Sequence, residues 1–194
     1  MKIHPSIASA NLLKVADEVS FIDREFKNIH IDIEDGNYVP NITFGKKMLN
    51  LICDLSSSYK SVHLMVNQPL EYLDACEQKK VDIVFVHIDH LRYPSVVVNE
   101  YLKKGIQVGV ALNPNAELPS KFYLDKIKNV LLMMCEPDGF NQMYIEELED
   151  KVDRYVKSGY EVWCDGGISL ERSEKLAKIG ARHVVLGRAI FESV

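Results

Sequence analysis

A histidine and an aspartate stand two residues apart near the end of a predicted strand. The strand Asn28–Ile33 carries His30 and Asp32, and a polar loop with Gly36 and Pro40 follows it. Because side chains alternate between the two faces of a strand, both residues leave the same face. An imidazole and a carboxylate so placed can hold a divalent metal, and the carboxylate can also move a proton. A buried His–Asp hydrogen bond explains the pair equally well, so this segment alone leaves both readings open.

The composition limits the classes of protein to which the chain can belong. It has 194 residues, of which 47% are hydrophobic and 26% charged, with a formal net charge of −5. This length and profile predict one soluble domain over residues 1–194. The negative charge and the lack of any Lys/Arg block argue against a nucleic-acid partner.

The distribution of apolar residues and cysteines bears on location. The longest apolar run, Asn129 to Cys135, is too short to span a bilayer, and no signal peptide is visible. We therefore expect no membrane partner and a cytoplasmic protein. The cysteines are scattered without CxxC spacing, which favours reduced, buried thiols over a disulfide framework; they are Cys53, Cys76, Cys135 and Cys164.

Short apolar strands alternate with helical patterns along the whole chain. The predicted strands are Ile3–Ser6, Asn28–Ile33, Ser61–Val66, Asp82–His87, Gln107–Leu112, Val130–Cys135, Glu161–Cys164 and His183–Leu186. The predicted helices between them are Leu12–Phe21, Lys46–Leu55, Leu70–Gln78, Ser95–Lys103, Lys121–Lys126, Ile145–Lys157 and Leu170–Lys178. Such alternation predicts parallel strands with crossover helices, and eight units are the number that closes a (β/α)8 TIM barrel. A doubly wound open sheet is the competing α/β fold, but no G-x-G-x-x-G follows the first strand.

The eighth helix is predicted to be truncated. It can extend only from Arg188 to Val194, about two turns at 3.6 residues per turn. Part of the barrel surface would then be exposed. Either a second subunit covers it, giving a homo-oligomer, or the barrel is less stable.

Polar side chains recur where the predicted strands end, which is the active-site end of a TIM barrel. Read in order, the residues at these ends are Ser6, His30, Asp32, His63, Met65, His87, Asp89, Asn113, Met133, Asp165 and Gly187. Two histidines and two carboxylates from three strands suit Zn, Fe or Mn better than Ca or Mg, which prefer oxygen ligands. A lone histidine in a strand is more often an ordinary core residue, so core packing remains the alternative.

Glycines follow the last two predicted strands. Asp165 is followed by Gly166 and Gly167 before a helix, and Gly187 precedes Arg188. In barrels this is where phosphate often binds to backbone N–H groups. Two ordinary tight turns are the alternative. Arg188 could add a charge-assisted contact or could be a solvated residue of the first helical turn.

Several ordered blocks resemble the ribulose-phosphate 3-epimerase family. They are Pro5–Ala10, His30–Asp32, Asp35–Gly36 with Val39–Gly45, Val62–Val66, Gly109–Pro114, Asp165–Ile168, and Gly187 with Ala189–Phe191. The resemblance covers nearly the whole chain. It implies a TIM barrel that binds one divalent metal ion and inverts C3 of a phosphorylated ketose through an enediolate.

The resemblance also implies roles for individual residues. The metal ligands would be His30, Asp32, His63 and Asp165, with Zn, Fe, Mn or Co as the ion. Asp32 and Asp165 would be the catalytic acid/base groups, one on each face of the substrate. The positions that would contact the phosphorylated ketose are Ser6, Met65, Met133, Asp138, Gly139, Asn141, Gly166, Gly167, Gly187 and Arg188.

Three departures from the family pattern concern the substrate rather than the metal. Glu34 replaces a methionine, the loop Glu136–Gln142 lacks two glycines of the family loop, and Arg188 replaces a serine. The implied ligands are all retained, which indicates a divergent epimerase-like branch with an altered grip on its substrate. Glu34 either lies near the enediolate or turns outward.

Two functions remain open at this point. The first is metal-dependent C3 epimerisation of a pentulose or hexulose phosphate. The second is a weakly active or non-catalytic relative that binds a sugar phosphate. A decarboxylase or aldolase is less well supported, because those sites generally need a lysine and none of the predicted strand ends carries one.

Overall fold

The structure, a computed structural model, describes residues 1–119, 126–137 and 141–191. Its strands are β1 (Lys2–Pro5), β2 (Asn28–Glu34), β3 (Tyr59–Met65), β4 (Ile83–His87), β5 (Gln107–Leu112), β6 (Asn129–Met133), β7 (Glu161–Asp165) and β8 (His183–Leu186). The α-helices of the described residues are α1 (Val15–Glu25), α2 (Lys46–Leu55), α3 (Leu73–Gln78), α4 (Pro94–Lys103), α5 (Glu149–Lys157), α6 (Leu170–Ile179) and α7 (Arg188–Phe191). Within these ranges no helix is both long and apolar enough to cross a membrane.

The eight strands form one parallel sheet that curves into a barrel. Their order is β1-β8-β7-β6-β5-β4-β3-β2. The sheet closes where Ser6, just beyond β1, forms a parallel bridge with His30 of β2. The predicted TIM barrel is therefore confirmed. The last helix is short in its described part, which ends at Phe191.

Several helices begin later than the sequence pattern predicts because a 3-10 turn comes first. Such turns cover Leu12–Lys14, Pro69–Tyr72 and Glu146–Leu148, ahead of α1, α3 and α5. The first is capped by Asn11, whose side-chain oxygen accepts a hydrogen bond from the backbone N–H of Leu13 at 3.1 Å. Short 3-10 turns are common at helix N-termini, and hydrophobic periodicity does not distinguish them from α-helix. The predicted helix Lys121–Lys126 lies outside the described residues except for Lys126.

Two separate cores follow from the alternation of side chains along the strands. The larger core fills the space between the barrel and the helices and includes Ile31, Val62 and Leu132. The smaller core fills the barrel itself with Ile83, Phe85, Ala111, Leu131, Met133, Cys135 and Trp163. A Cβ on Gly109 would lie 2.2 Å from the ring of Phe85, so glycine makes room for that ring. Two buried histidines, His4 and His183, pack against Trp163 of this smaller core.

Candidate metal centre

Four side chains converge at the C-terminal end of the barrel. Inward positions of β2, β3 and β7 supply His30, Asp32, His63 and Asp165, and one ligand atom of each lies within 4.8 Å of all the others. His63 Nδ1 lies 3.3 Å from both Asp32 Oδ1 and Asp165 Oδ2. His30 Nε2 lies 3.3 Å from Asp32 Oδ1 and 3.8 Å from Asp165 Oδ2. The structure thus brings together all four residues that the resemblance assigns to the metal.

The atoms that face one another in this cluster fit a cation. His30 Nε2, Asp32 Oδ1 and His63 Nδ1 are buried and have no hydrogen-bond partner among the described residues. Buried polar atoms are nearly always satisfied in folded proteins. A divalent ion between them would supply the missing interaction, and two imidazoles with two carboxylates suit Zn, Fe, Mn or Co.

The opposite nitrogen of each imidazole is held by a neighbouring strand. Ser61 donates its hydroxyl hydrogen to the Ile29 carbonyl at 3.1 Å, so it accepts the hydrogen of His30 Nδ1 at 2.8 Å. His30 Nε2 then keeps its lone pair for a metal. His63 Nε2 lies 2.9 Å from His87 Nε2. When His63 donates its Nε2 hydrogen to His87, the lone pair of His63 Nδ1 is likewise left for a metal. Such partners fix the ring orientation and the tautomer of metal-binding histidines.

Neighbouring charges within the cluster shift the pKa values of its side chains. Burial would raise the pKa of Asp32, but His30 and His63 outweigh it and hold that pKa well below its usual range. Burial would lower the pKa of His63, but Asp165 and Asp32 raise it to about 9. Without a cation, the cluster therefore retains a proton on His63 near neutral pH. A metal must displace that proton, so metal affinity should fall as the solution becomes acidic.

A cavity of about 630 Å³ opens above the four residues. Its floor includes Asp32 and Asp165, and Met65 and Met133 form apolar parts of its wall. Ser6 also lines the cavity and donates a hydrogen bond to Asp32 Oδ2. Ser6 therefore orients a carboxylate of the cluster, a contact that the sequence did not predict.

The loops after β7 and β8 form one side of the same cavity. Gly166, Gly167, Gly187 and Arg188 all line it. The Arg188 guanidinium donates a hydrogen bond to the Asn141 carbonyl oxygen at 3.0 Å. Of the remaining residues predicted to contact substrate, Asp138 and Gly139 lie outside the described residues.

Two of these glycines are required by close packing as well. A Cβ on Gly166 would lie 2.4 Å from Cys135 Sγ, and one on Gly167 would lie 2.3 Å from the Gln142 carbonyl oxygen. Both residues have positive φ, at 100° and 65°. The turn therefore brings the backbone after β7 against the segment after β6 at the edge of the cavity. The two interpretations of these glycines, a phosphate-binding loop and a tightly packed turn, do not exclude each other.

Three polar groups near the site had no definite role on sequence grounds. His87 stands among the predicted strand ends without a function, and nothing in the sequence distinguishes Ser61. The position of His87 at the C-terminal end of the strand after that of His63 could have predicted that the two histidines lie close together. Glu34 was left open, and the structure places it in the cavity wall rather than outward. Burial, followed by the charge of Asp32, raises the pKa of Glu34 to about 7.

Comparison with known proteins bears directly on this barrel and its cluster. The model of the "Ribulose-phosphate 3 epimerase family" matches residues 2–191. The chain belongs to this family. Relatives named ribulose-phosphate 3-epimerase include one from Helicobacter pylori, 31% identical over 100% of this chain and 92% of its own length. Another, from Synechocystis, is 29% identical over 98% of this chain and 87% of its own. The protein is therefore an isomerase of the epimerase type, and its family epimerises sugar phosphates.

Solved structures of lower identity support the fold alone. KGPDC from Streptococcus mutans, in complex with D-R5P, superposes with a TM-score of 0.73 at 13% identity, covering 98% of this chain and 89% of its own. The tryptophan synthase A-subunit from Pyrococcus furiosus gives a TM-score of 0.71 at 16% identity, covering 98% and 87%. Both are similar in architecture to this barrel.

Proposed function

We propose that the protein inverts the configuration at C3 of a phosphorylated ketose, a pentulose or hexulose phosphate, and that Asp32 and Asp165 transfer the protons. The observation that carries this proposal is the meeting of the two carboxylates, from β2 and β7, at the floor of one cavity, each 3.3 Å from the same histidine nitrogen. Inversion requires a proton to leave one face of the carbon and another to arrive at the opposite face. Two carboxylates from different strands meet that requirement.

The proton balance uses only these two groups. One aspartate takes the C3 proton, and the electron pair of the broken C–H bond moves into the enediolate. The other aspartate donates a proton to the opposite face, which restores the ketone at C2. Before the next turnover the first aspartate releases its proton to solvent, and the second takes one up from solvent. Ser6 orients Asp32 in this exchange.

A divalent cation fits the cluster, and when bound it would stabilise the negative charge that develops on the substrate oxygens. His30, His63, Asp32 and Asp165 would hold it. Met65 and Met133 would keep water from the reacting carbon, since both lie in the cavity wall and are almost fully buried. The loops with Gly166, Gly167 and Gly187 would bind the phosphate.

The test is proton transfer in single aspartate variants. We expect Asp32→Asn and Asp165→Asn each to lower turnover of pentulose and hexulose phosphates, measured by NMR, about 10²- to 10⁴-fold. Because both residues are proposed ligands, the metal content of each variant must be measured by elemental analysis. Asp89→Asn is the matched control, since Asp89 lies at the same end of the barrel but outside the cavity wall. A variant of either aspartate that keeps its metal and near-normal turnover would remove that residue from the mechanism.

The second function, a weakly active or non-catalytic sugar-phosphate-binding relative, makes a different prediction. The wild-type protein would then bind the ketose phosphates without exchanging the C3 proton. Binding and exchange measured on the same preparation separate the two functions.

A further inference from the structure

Glu34 is a third carboxylate in the cavity, and the proposed proton transfer does not use it. It is the last residue of β2 and follows His30 and Asp32 on the inward face. It is only 8% exposed and lines the cavity beside Asp32. A charged side chain in such a place needs polar partners.

The loop after β2 fixes Glu34 from two directions. Asn41 donates its side-chain amide hydrogen to Glu34 Oε2 at 2.6 Å. Thr43 accepts the backbone N–H of Glu34 at 3.0 Å and donates its hydroxyl to the Asp32 carbonyl at 2.7 Å. The backbone and one carboxylate oxygen of Glu34 are therefore held in place before any ligand arrives.

The other carboxylate oxygen is available to a ligand. Glu34 Oε1 makes no hydrogen bond within the described part of the chain, and it is not among the buried atoms that lack a partner. An ordered acceptor that lines a cavity in this way is suited to bind a donor group of the molecule that enters it.

The position of Glu34 indicates which end of that molecule it meets. Glu34 pairs with Met65 and so stands on the β2–β3 side of the cavity. The glycine turns proposed to bind phosphate follow β7 and β8, on the other side of β1 in the strand order. A ketose phosphate that spans the cluster from those turns directs its unphosphorylated end towards Glu34.

We propose that Glu34 determines specificity by accepting a hydrogen bond from the C1 hydroxyl, at the unphosphorylated end of the ketose. This inference rests on the proposed function for the identity of the substrate. It predicts that the protein distinguishes a ketose phosphate with a C1 hydroxyl from its 1-deoxy analogue, which has a methyl group there.

The experiment measures binding rather than turnover. D-Xylulose 5-phosphate and 1-deoxy-D-xylulose 5-phosphate differ only in that hydroxyl, so the ratio of their dissociation constants, measured by calorimetry, isolates its contribution. For the wild-type protein we expect the 1-deoxy compound to bind about three- to tenfold more weakly, as for the loss of one hydrogen bond. Glu34→Met should bring the ratio close to one, and Glu34→Gln, which keeps an acceptor oxygen, should give an intermediate ratio.

Two asparagines in the same loop provide a matched pair. Asn41→Ala removes the partner of Glu34 Oε2 and should lower the ratio. Asn37→Ala should leave it unchanged, because the Asn37 side chain bonds to the Asp35 carbonyl oxygen and, within the described ranges, to nothing else. If Glu34→Met does not fold, Glu34→Gln and Asn41→Ala still carry the test.

The outcomes separate this inference from the proposed function. A wild-type ratio near one, or a ratio that survives Glu34→Met and Asn41→Ala, would overturn the role of Glu34. Failure of both compounds to bind would overturn the proposed substrate and, with it, this inference. The expected ratios without any exchange of the C3 proton would support Glu34 and refute the epimerase function.

Discussion

Single hydrogen bonds decide which nitrogen of each histidine faces the candidate metal centre. Ser61 fixes the His30 ring, and His87 faces the His63 ring at 2.9 Å. Burial, followed by the charge of His63, lowers the pKa of His87 well below its usual value, so His87 is a neutral partner. These contacts make the cluster a preorganised site rather than four mobile side chains.

Removing the partner of His63 should weaken metal binding without removing a ligand. We expect His87→Ala to lower the affinity for Zn or Mn about 10- to 100-fold, as loss of an outer partner typically does. His87→Gln should recover much of the affinity, because its amide oxygen can accept from His63. Calorimetric metal titration measures both, with His90→Ala as the control. Wild-type affinity in His87→Ala would contradict a positioning role for His87.

Among the departures from the family pattern, Arg188 lies beside the glycine turns that we propose to bind phosphate. It lines the cavity, and its guanidinium is bonded to the Asn141 carbonyl oxygen, so a phosphate bound at those turns would lie near this cation. We expect Arg188→Ala to raise KM for the phosphorylated ketose about tenfold with little change in kcat, the sign of lost uniform binding. Arg182→Ala, just before β8, is the matched control. An unchanged KM would mean that Arg188 does not bind the phosphate.

The candidate ligands could be predicted from the sequence, whereas the residues that hydrogen-bond to them could not. His30, Asp32, His63 and Asp165 could be named because each stands at a predicted strand end and fits the family blocks. Ser61 could not be linked to His30, because that contact depends on the pairing of β2 with β3, which places the two residues side by side. A hydrophobic pattern excludes a one-residue slip between strands, which would reverse their faces, but not a slip of two residues.

The presence of each strand and helix could be predicted from the sequence more reliably than its first and last residues. β5 and β8 match their predicted ranges, whereas β3 begins at Tyr59, two residues before the predicted Ser61. Helix α1 was predicted over Leu12–Phe21 but runs from Val15 to Glu25. The 3-10 turn ahead of it has a similar apolar pattern, and its tighter winding is set by local capping.

One carboxylate ties α1 to the segment between α2 and β3. Asp23 Oδ1 accepts from the hydroxyls of Ser56 and Ser58, at 2.7 and 2.5 Å. Asp23 Oδ2 accepts from the backbone N–H of Ser57 at 2.7 Å. Burial would raise the pKa of Asp23, but these hydrogen bonds, led by that of Ser58, lower it to about 2.

This lowered pKa predicts a pH-dependent contribution to stability. Because the folded form holds the proton less tightly than the unfolded chain, the contribution is fully present above the ordinary value of 3.8 and is lost as pH falls towards about 2. We expect Asp23→Asn to lower the free energy of unfolding at neutral pH, with the difference from wild type shrinking below about pH 4. Denaturant unfolding across that range measures it, with Asp17→Asn on the same helix as control. A pH-independent difference would contradict this reading.

At the level of the whole molecule, the cluster joins the neighbouring strands β2 and β3 to β7, which pairs with neither of them. His30 and Asp32 lie on β2, His63 on β3 and Asp165 on β7, and the sheet closes between β1 and β2. A bound cation would therefore cross-link the barrel near its closure. The alternation of strands and helices predicted the barrel itself. The cross-link could be suspected only from which strand ends carry ligands.

Metal removal should consequently lower the thermal stability. A ligand that binds only the folded state adds about 2.7 kcal/mol at a free concentration of 100 times its Kd. We expect chelation to lower the Tm and Zn or Mn to restore it. His63→Ala should show no rise in Tm on adding metal. A Tm that does not respond to metal in the wild-type protein would show that the cluster is a polar core and not a metal site.

The most direct test of the central claim is the fate of the C3 proton in D₂O. The metal-loaded protein would be incubated with D-ribulose 5-phosphate, and substrate and product would be analysed by NMR early in the reaction. Transfer by two separate aspartates predicts deuterium at C3 of the product, while the remaining substrate retains its original hydrogen. Epimerised product without solvent deuterium, or no exchange at C3 in any ketose phosphate, would contradict the account.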